Sequence, residues 1–390
     1  MSFFQANSPA RAPLQGPHLG VLPSQIQSFF LRHLHVRHSR YVIMGFSPLI
    51  IKPTRTHVKL PVLDFSRAAK NSRKGIETTV VLDLNVLSKM NEVVANPNEY
   101  EMSGLKLVVS MLNKLPIVLS PGFALGEADK AYVDALWYSW EEFIGRYCPT
   151  YVDTPNTTRD KNNHGRGRKF EMLPDGDRHM QSIAYLAMLT IQVIAKRDAH
   201  LSPEEKFNAY VGFMSSRADM LSAVEAEVAR YCFFDRASEK NIAFRNFAEI
   251  ICKNFMKSGT AEKRLERALN AARDINYYRV VAAKSNEELD GKVQDTWLLT
   301  ADEGLKNLAQ SIYFAPGFDG SDSKAVKLVR NQAQKTSAYW QYCDELFAYQ
   351  IAHRNGWGSN LKERGWSESG FQRLFDCITE QEGHVRALYI

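Results

Sequence analysis

The chain has 390 residues, 45% of them hydrophobic and 24% charged, with a formal net charge of +6. This composition is typical of a globular protein of one large or two ordinary domains, and it excludes a chain that is mainly low-complexity. The five cysteines are odd in number and lack a Cys-x-x-Cys pair, which argues against a disulfide framework or a zinc site and favours a cytoplasmic location. No uncharged apolar run reaches about 18 residues and no signal-peptide pattern occurs, so we expect no membrane span.

The positive charge is concentrated at the N-terminus. Residues 1–75 contain eleven Lys and Arg against one acid, Asp64, whereas the rest of the chain is slightly acidic. This excess suits an arm that contacts phosphate, and a solubilising tail fits it equally well. Residues 1–43 are rich in Pro, Gln, Ser and His without sustained periodicity, so they are predicted to be a flexible basic leader.

The stretch 44–147 is predicted to be the first part of an α/β core. Pro61 disfavours a central strand, so residues 56–64 are expected to form only an extended edge segment. The other predicted elements follow in order: a strand at 78–84, helices at 86–95 and 103–114, a short strand at 116–120 and a long helix at 122–147.

The stretch 148–262 changes character and is predicted to be an all-helical insertion. A polar loop at 149–176 precedes helices near 178–197, 203–215, 217–234 and 238–258. One of these starts is marked clearly, because Ser202 and Glu205 form a capping-box pattern around Pro203 at the first helical position.

The second part of the core is predicted over 263–320, and a helical C-terminal extension over 321–390. Within the core part we expect a strand at 296–301, a helix at 303–310 and a fourth short strand at 311–315. Strands that alternate with helices imply a parallel sheet with right-handed crossovers.

Four acids stand in settings that predict a shared site. Asp83 and Asp302 end apolar, strand-like runs, where a carboxylate is costly to bury without a cation or a donor. Glu127 follows the second strand, and Asp274 lies in the helical stretch 271–278. Carboxylates gathered at the carboxyl ends of parallel strands suit Mg²⁺ or Mn²⁺, one ion or two, and metal-assisted phosphodiester hydrolysis.

Each acid also has a structural alternative. Asp83 and Asp302 are favoured residues for capping a following helix. Glu127 would be stabilised by the dipole of a helix that it opens. Asp274 has Arg273 and Arg279 beside it as ion-pair partners.

The four acidic blocks, in this order, resemble the PIN-domain nucleases. Val80-Val81-Leu82-Asp83-Leu84-Asn85 is similar to that family's opening strand, and Leu125-Gly126-Glu127 to its second acidic block. Asp274 before Ile275 and the run Leu298-Leu299-Thr300-Ala301-Asp302 resemble the third and fourth blocks. The resemblance covers 80–147 and 263–317, and the intervening helical block is much longer than in compact members.

The resemblance implies a fold, a chemistry and roles for named residues. It implies a PIN-like parallel core that hydrolyses a phosphodiester in line, leaving a 5′-phosphate and a 3′-hydroxyl. Asp83, Glu127, Asp274 and Asp302 would be the catalytic metal ligands. Asn85 and Thr300 would orient two of them, and Lys306, one turn after Asp302, would reach the phosphate.

A basic, glycine-containing loop is the second feature that indicates nucleic acid. Glycines between arginines let the backbone approach a phosphate chain, and a mobile solvated loop is the competing interpretation. Its predicted nucleic-acid-binding residues are Arg159, Lys161, Arg166, Arg168 and Lys169.

The leading hypothesis is a metal-dependent endoribonuclease, with RNA as substrate and single-stranded DNA as the other option. A large helical insertion beyond the catalytic minimum suggests control by a regulatory protein or by homo-oligomerisation, as in a regulated toxin or antiviral defence effector. The alternatives are a non-catalytic RNA-binding or scaffolding protein on the same fold, and a helical interaction protein whose α/β part is only structural.

Overall fold

The computed structural model describes residues 46–56, 60–152, 169–289, 291–316, 324–355 and 367–389. The predicted leader 1–43 and most of the basic loop therefore lie outside the described residues.

A small mixed sheet forms the centre of the α/β part. Its principal strands are β1 (Leu49–Ile51), β2 (Ile76–Leu82), β3 (Val118–Ser120) and β5 (Lys292–Thr300), and the short β4 (Glu288–Leu289) forms a hairpin with β5. The spatial order is β1-β5-β2-β3. β2 is parallel to both β3 and β5, as predicted, whereas β1 is antiparallel to β5. The α/β class is therefore confirmed, and the prediction of a wholly parallel sheet is wrong at this edge.

Both faces of the sheet are covered, because alternate side chains of β2 and β5 enter two different apolar cores. Val80 and Trp297 belong to the core shared with the helices that follow β2. Val81 and Leu298 belong to the larger core that contains the later helices. The C-terminal halves of both strands, Val80–Leu82 and Trp297–Leu299, are continuous apolar runs of the kind expected of strands buried on both faces, which is why these halves were recognisable in the sequence.

The helices fall into three successive groups. The helices before the insertion are α1 (Phe65–Arg73), α2 (Leu84–Ala95), α3 (Lys106–Leu112), α4 (Gly122–Glu127) and α5 (Val133–Tyr147). The next are α6 (Asp175–Arg197), α7 (Pro203–Gly212), α8 (Ala223–Phe233), α9 (Ile242–Phe255) and α10 (Ala261–Lys284). The last are α11 (Glu303–Ser311), α12 (Gln332–Thr336), α13 (Ala338–Asn355) and α14 (Glu368–Leu388). Among the described helices, none carries an apolar stretch long enough to cross a bilayer.

Two predicted helices differ from the observed ones. The single helix expected over 122–147 is divided, because Ala128 is extended and the Asp129 carboxylate accepts a hydrogen bond from the Ala131 amide, a local turn that competes with helix. The helix expected from residue 217 begins only at Ala223. A short π-helical segment, Phe213–Arg217, follows α7. Asp219 then adopts a left-handed φ of 55°, and its carboxylate is held by Arg354 at 2.9 Å.

Three further predictions differ from the structure. The strand at the sheet edge is Leu49–Ile51, whereas residues 60–64 of the predicted extended segment form no strand and lead into Asp64, the N-cap of α1; residues 57–59 lie outside the described residues. β6 (Ile312–Pro316) does not join the parallel sheet but pairs antiparallel with β7 (Lys324–Leu328). The C-terminal extension is therefore not wholly helical, because the alternating apolar residues of β7 complete this separate ribbon.

Candidate active site

Asp83 lies where β2 ends and is the N-cap of α2. Its side chain is buried, with 4% of the residue exposed. One carboxylate oxygen accepts hydrogen bonds from Asn85 Nδ2 at 2.7 Å and from Thr300 Oγ1 at 2.5 Å. The Asp83 amide donates to the Leu299 carbonyl of β5 at 2.9 Å. Asp83 is thus a helix cap, and it also receives two side-chain donors that fix its orientation.

Asn85 and Thr300 tie together the turns that follow β2 and β5. The Asn85 side-chain carbonyl accepts from the Ala301 amide at 3.0 Å. The Thr300 hydroxyl donates to Asp83 and accepts from the Asp302 amide at 2.9 Å. The two predicted orienting residues therefore contact Asp83 directly, and they set the backbone that carries Asp302.

Asp302 lies at the end of β5 and caps α11 by accepting from the Leu305 amide at 2.8 Å. Two residues of the helical block approach it. Asn254, in the last turn of α9, and Lys257, just beyond α9, both favour the charged form of this carboxyl. The approach is tight, because a Cβ on Gly304 would lie 2.4 Å from Asn254 Cβ.

Glu127 and Asp274 reach the same place from two helices. Glu127 is the last residue of α4, and the Tyr277 hydroxyl lies 3.0 Å from its Oε2. Asp274 lies in α10 one turn before Tyr277, so the two share a helical face. Arg279, one of its two predicted ion-pair partners, instead binds Ser222 at 2.7 Å and Glu225.

The four carboxyls form one electrostatic cluster. Burial is the largest cause that raises the pKa of all four. It raises the pKa of Glu127 to about 7, with the charge of Asp83 adding to the effect and Arg273 opposing it. The pKa of Asp274 is well above its ordinary value, because Asp302, Asp83 and Glu127 add their charges to the effect of burial. Glu127, Asp274 and Asp302 are nevertheless partly exposed, so the cluster borders solvent.

The chemistry of this donor set suits a hard divalent cation. All four donors are carboxyls, and a divalent cation relieves the repulsion that raises their pKa values. In the part of the chain that the structure describes, however, no three Asp, Glu, His or Cys side chains are arranged to hold a metal ion. Binding of a cation would therefore require the carboxyls to draw closer together.

The structure does not bring all the predicted phosphate-binding residues to this cluster. Arg159, Lys161, Arg166 and Arg168 lie outside the described residues. Lys169 is exposed and lines a cavity of about 230 Å³ beside Glu262 and Arg386. Lys306 is half-buried, and its amide donates to the Asp302 carbonyl at 3.1 Å.

Arg273, expected beside Asp274, acts on the pKa of Glu127. Sequence reasoning missed three residues that border the cluster, namely Tyr277, Asn254 and Lys257. Tyr277 could have been predicted from the sequence, since it stands three residues after Asp274 on a predicted helix. No sequence pattern indicated Asn254 and Lys257, because their position depends on how α9 packs against α11. The helical block is therefore part of the site and not only an appendage to it.

Comparison with known protein families, curated proteins and solved structures finds no match to this chain. The function is therefore inferred from the four carboxyls, the groups that orient them and the lysine beside them.

Proposed function

We propose that the protein is a metal-dependent nuclease with a PIN-like core, and that its substrate is RNA. One observation carries the proposal: four acids spread from residue 83 to residue 302 belong to one electrostatic cluster, in which Asp83 is buried and the other three border solvent. Crowding like charges where burial disfavours their ionised forms is unfavourable, so a cluster of this kind is typical of sites that bind a compensating cation. The resemblance of the four sequence blocks to the PIN-domain nucleases supports the same function.

Asp83, Glu127, Asp274 and Asp302 would hold one or two Mg²⁺ or Mn²⁺ ions. A bound ion would supply an activated water and neutralise charge developing on the phosphate. Thr300 and Asn85 hold one oxygen of the Asp83 carboxylate, and the other oxygen, which accepts a long 3.4 Å hydrogen bond from the Asn85 amide, would bind the ion. The exposed Lys257 would bind a phosphate oxygen of the substrate at the rim of the cluster.

The test is cleavage of labelled RNA and single-stranded DNA by the purified protein in EDTA, Mg²⁺ or Mn²⁺. We expect cleavage only with metal, and loss of at least about 100-fold in Asp83→Asn and Asp302→Asn. Glu303→Gln is the matched control, since it removes the same charge from an exposed side chain next to Asp302. Cleavage that persists in EDTA, or in both Asn variants, would contradict the proposal.

A non-catalytic RNA-binding protein is the second candidate, and one observation favours it. No described carboxyl group is prearranged with two others to hold a metal. This candidate predicts that RNA binds equally well with and without Mn²⁺, and that Asp302→Asn leaves binding intact. A rise in Tm on adding Mn²⁺, lost in Asp302→Asn, would favour the nuclease.

A further inference from the structure

We propose that Lys257, Lys263 and Arg267 form a basic track that binds the phosphodiester backbone of a single-stranded nucleic acid beside the acidic cluster. Because a nucleic acid is taken as the ligand of the four carboxyls, the basic track rests on the proposed function and adds to it the surface on which the strand lies. The region is rich in positive charge, since residues 253–267 contain five Lys and Arg against two acids.

A solvent-facing stripe of α10 runs from the first turns of the helix to Asp274. Lys263, Arg267, Asn270 and Asp274 are exposed or partly exposed, and they follow one another at intervals of four, three and four residues. Residues at these intervals share one face of a helix. At the helical rise, Arg267 lies about 10 Å along the axis from Asp274, and Lys263 lies about 16 Å from it. Two cations of the basic track therefore continue the face of α10 that carries one of the four acids.

The turn between α9 and α10 brings Lys257 to the same surface. Gly259 lies in this turn, and a Cβ built on it would be 2.9 Å from Arg267 Nη1. At the other end of the segment, Asn254 packs against α11 beside Asp302. Lys257 is exposed and stands between these two contacts, three residues after Asn254 and two before Gly259. The segment therefore extends from the Asp302 side of the cluster to Arg267, with Lys257 in its middle.

This turn is held in place by the residue that follows α14. The Arg264 guanidinium stacks on the Tyr389 ring, 3.8 Å from its centroid, and Arg264 Nε donates to the Gly259 carbonyl at 3.0 Å. The Ala261 amide, at the start of α10, donates to the Tyr389 carbonyl at 3.1 Å. The backbone that carries the basic track is therefore ordered before a ligand binds, which reduces the entropy lost on binding.

The cations of the basic track are not held in ion pairs. No ion pair between described residues includes Lys257, Lys263 or Arg267, whereas Glu262, next to Lys263, is bound by Arg386 at 3.0 Å. The track also lies towards the N-terminus of α10, the positive end of the helix dipole. Its charges are therefore available to a polyanion, and a surface of this kind attracts nucleic acid.

A single strand fits this arrangement because its phosphates repeat along the backbone, as the cations repeat with distance from the acids. A strand with one phosphate at the carboxyls would place the following phosphates at Lys257, then at Arg267 and then at Lys263. The lysines would bind as point charges, and the Arg267 guanidinium can donate two hydrogen bonds to one phosphate. Contacts to phosphate carry no sequence information, so the track would bind strands of any sequence.

The experiment measures binding of fluorescein-labelled single-stranded RNA and DNA to the full-length protein by fluorescence anisotropy, in EDTA at several salt concentrations. We expect Lys257→Gln and Arg267→Gln each to raise the Kd about fivefold at low salt, and the triple variant with Lys263→Gln to raise it at least about 50-fold. Each single change should reduce the slope of log Kd against log salt by about 0.7, the contribution of one phosphate contact. Arg267→Lys keeps the charge and should keep the slope.

Lys284→Gln is the matched control, since it removes an exposed charge from the other end of α10, and it should change neither the Kd nor the slope. An unaltered Tm of Lys257→Gln, whose side chain is exposed, excludes misfolding as the cause of its loss. The basic track is refuted if the wild-type protein binds neither strand, if the triple variant binds like wild type, or if Lys284→Gln weakens binding as much as Arg267→Gln. Because no readout uses cleavage, a protein that binds through the track and never cleaves would disprove the nuclease alone.

Discussion

Two buried threonines of β5 differ in what their hydroxyls do. Thr300 donates to Asp83 and accepts from the Asp302 amide. Thr296 lies four residues earlier on the same strand, is 4% exposed, and its hydroxyl has no hydrogen-bond partner. A polar group buried without a partner is destabilising, so the two side chains offer an internal comparison.

We predict that Thr300→Val destabilises the protein by about 1–3 kcal/mol, because it removes one of the two side-chain donors to the buried Asp83 carboxyl and leaves the Asp302 amide without its acceptor. It should also weaken Mn²⁺ binding by about 10–100-fold, since Asp83 loses an orienting donor. Thr296→Val should be neutral or stabilising. Urea unfolding and Mn²⁺ titration of both variants measure this, and equal effects of the two changes would contradict it.

Glu127 predicts a pH dependence of stability in metal-free protein. Its pKa is raised to about 7 from the ordinary value of 4.5, mainly by burial. The folded state therefore keeps a proton that the unfolded chain releases near pH 4.5, and raising the pH through this window favours unfolding. Relative to Glu127→Gln, the free energy of unfolding of the wild-type protein should fall by up to about 3 kcal/mol between pH 4.5 and pH 7.

The measurement is urea unfolding in EDTA at several pH values, with Glu303→Gln as the surface control. Excess Mn²⁺ should reverse the trend, since metal binds the deprotonated carboxylates. Parallel stability curves for wild type and Glu127→Gln would show that the carboxyl is not protonated in the folded protein.

At the scale of elements, the contact between α9 and α11 positions one side of the site. A Cβ at Gly304 would lie 2.4 Å from Asn254 Cβ, whereas one at Gly145 in α5 would meet nothing within 4 Å. Gly304→Ala should therefore destabilise the protein by about 1–3 kcal/mol by pushing the helices apart. Gly145→Ala should be neutral or stabilising by up to about 1 kcal/mol. Thermal unfolding of both variants tests this, and similar Tm values would contradict it.

The same displacement of α9 should also change metal binding by the acids. Moving the end of α9 draws Asn254 and Lys257 away from Asp302, so the Mn²⁺-induced rise in Tm should change in Gly304→Ala and not in Gly145→Ala. A full response to Mn²⁺ in destabilised Gly304→Ala would show that α9 supports the fold without contributing to the site.

The elements best predicted from the sequence are those whose own residues form a clear apolar pattern. The apolar C-terminal halves of β2 and β5, and the acid that follows each of them, could be predicted because these halves are buried on both faces of the sheet. The short strands β1 and β7 could not, since pairing with distant partners rather than their own composition determines them. Lys257 was missed for a related reason, because only the packing of α9 on α11 brings it to the cluster.

At the scale of the whole molecule, one buried ion-pair network joins three distant segments. Glu227 of α8 has no exposed surface and is bound by Arg330 at 2.6 Å and by Arg230 at 3.1 Å. Arg330 also binds Asp344 of α13 at 2.7 Å. The network connects the helical block to the C-terminal helices, so its loss should lower the free energy of unfolding of the whole protein.

We predict that Glu227→Gln destabilises the protein by about 3–5 kcal/mol, since it leaves two arginines without their buried counter-charge. Glu262→Gln, which removes an exposed partner of Arg386, should change stability by less than about 1 kcal/mol. Chemical unfolding compares the two variants. A small effect of Glu227→Gln would mean that water or neighbouring acids replace the lost charge.

The position of β5 between β1 and β2 has a consequence for synthesis of the protein. β5 emerges from the ribosome about 210 residues after β2, which corresponds to roughly 10–40 s of translation. During this interval β1 and the inner edge of β2 have no partner, and exposed strand edges promote association between chains. The nascent protein should therefore need a chaperone or the early helices to shield that edge, and it should refold slowly after dilution from denaturant.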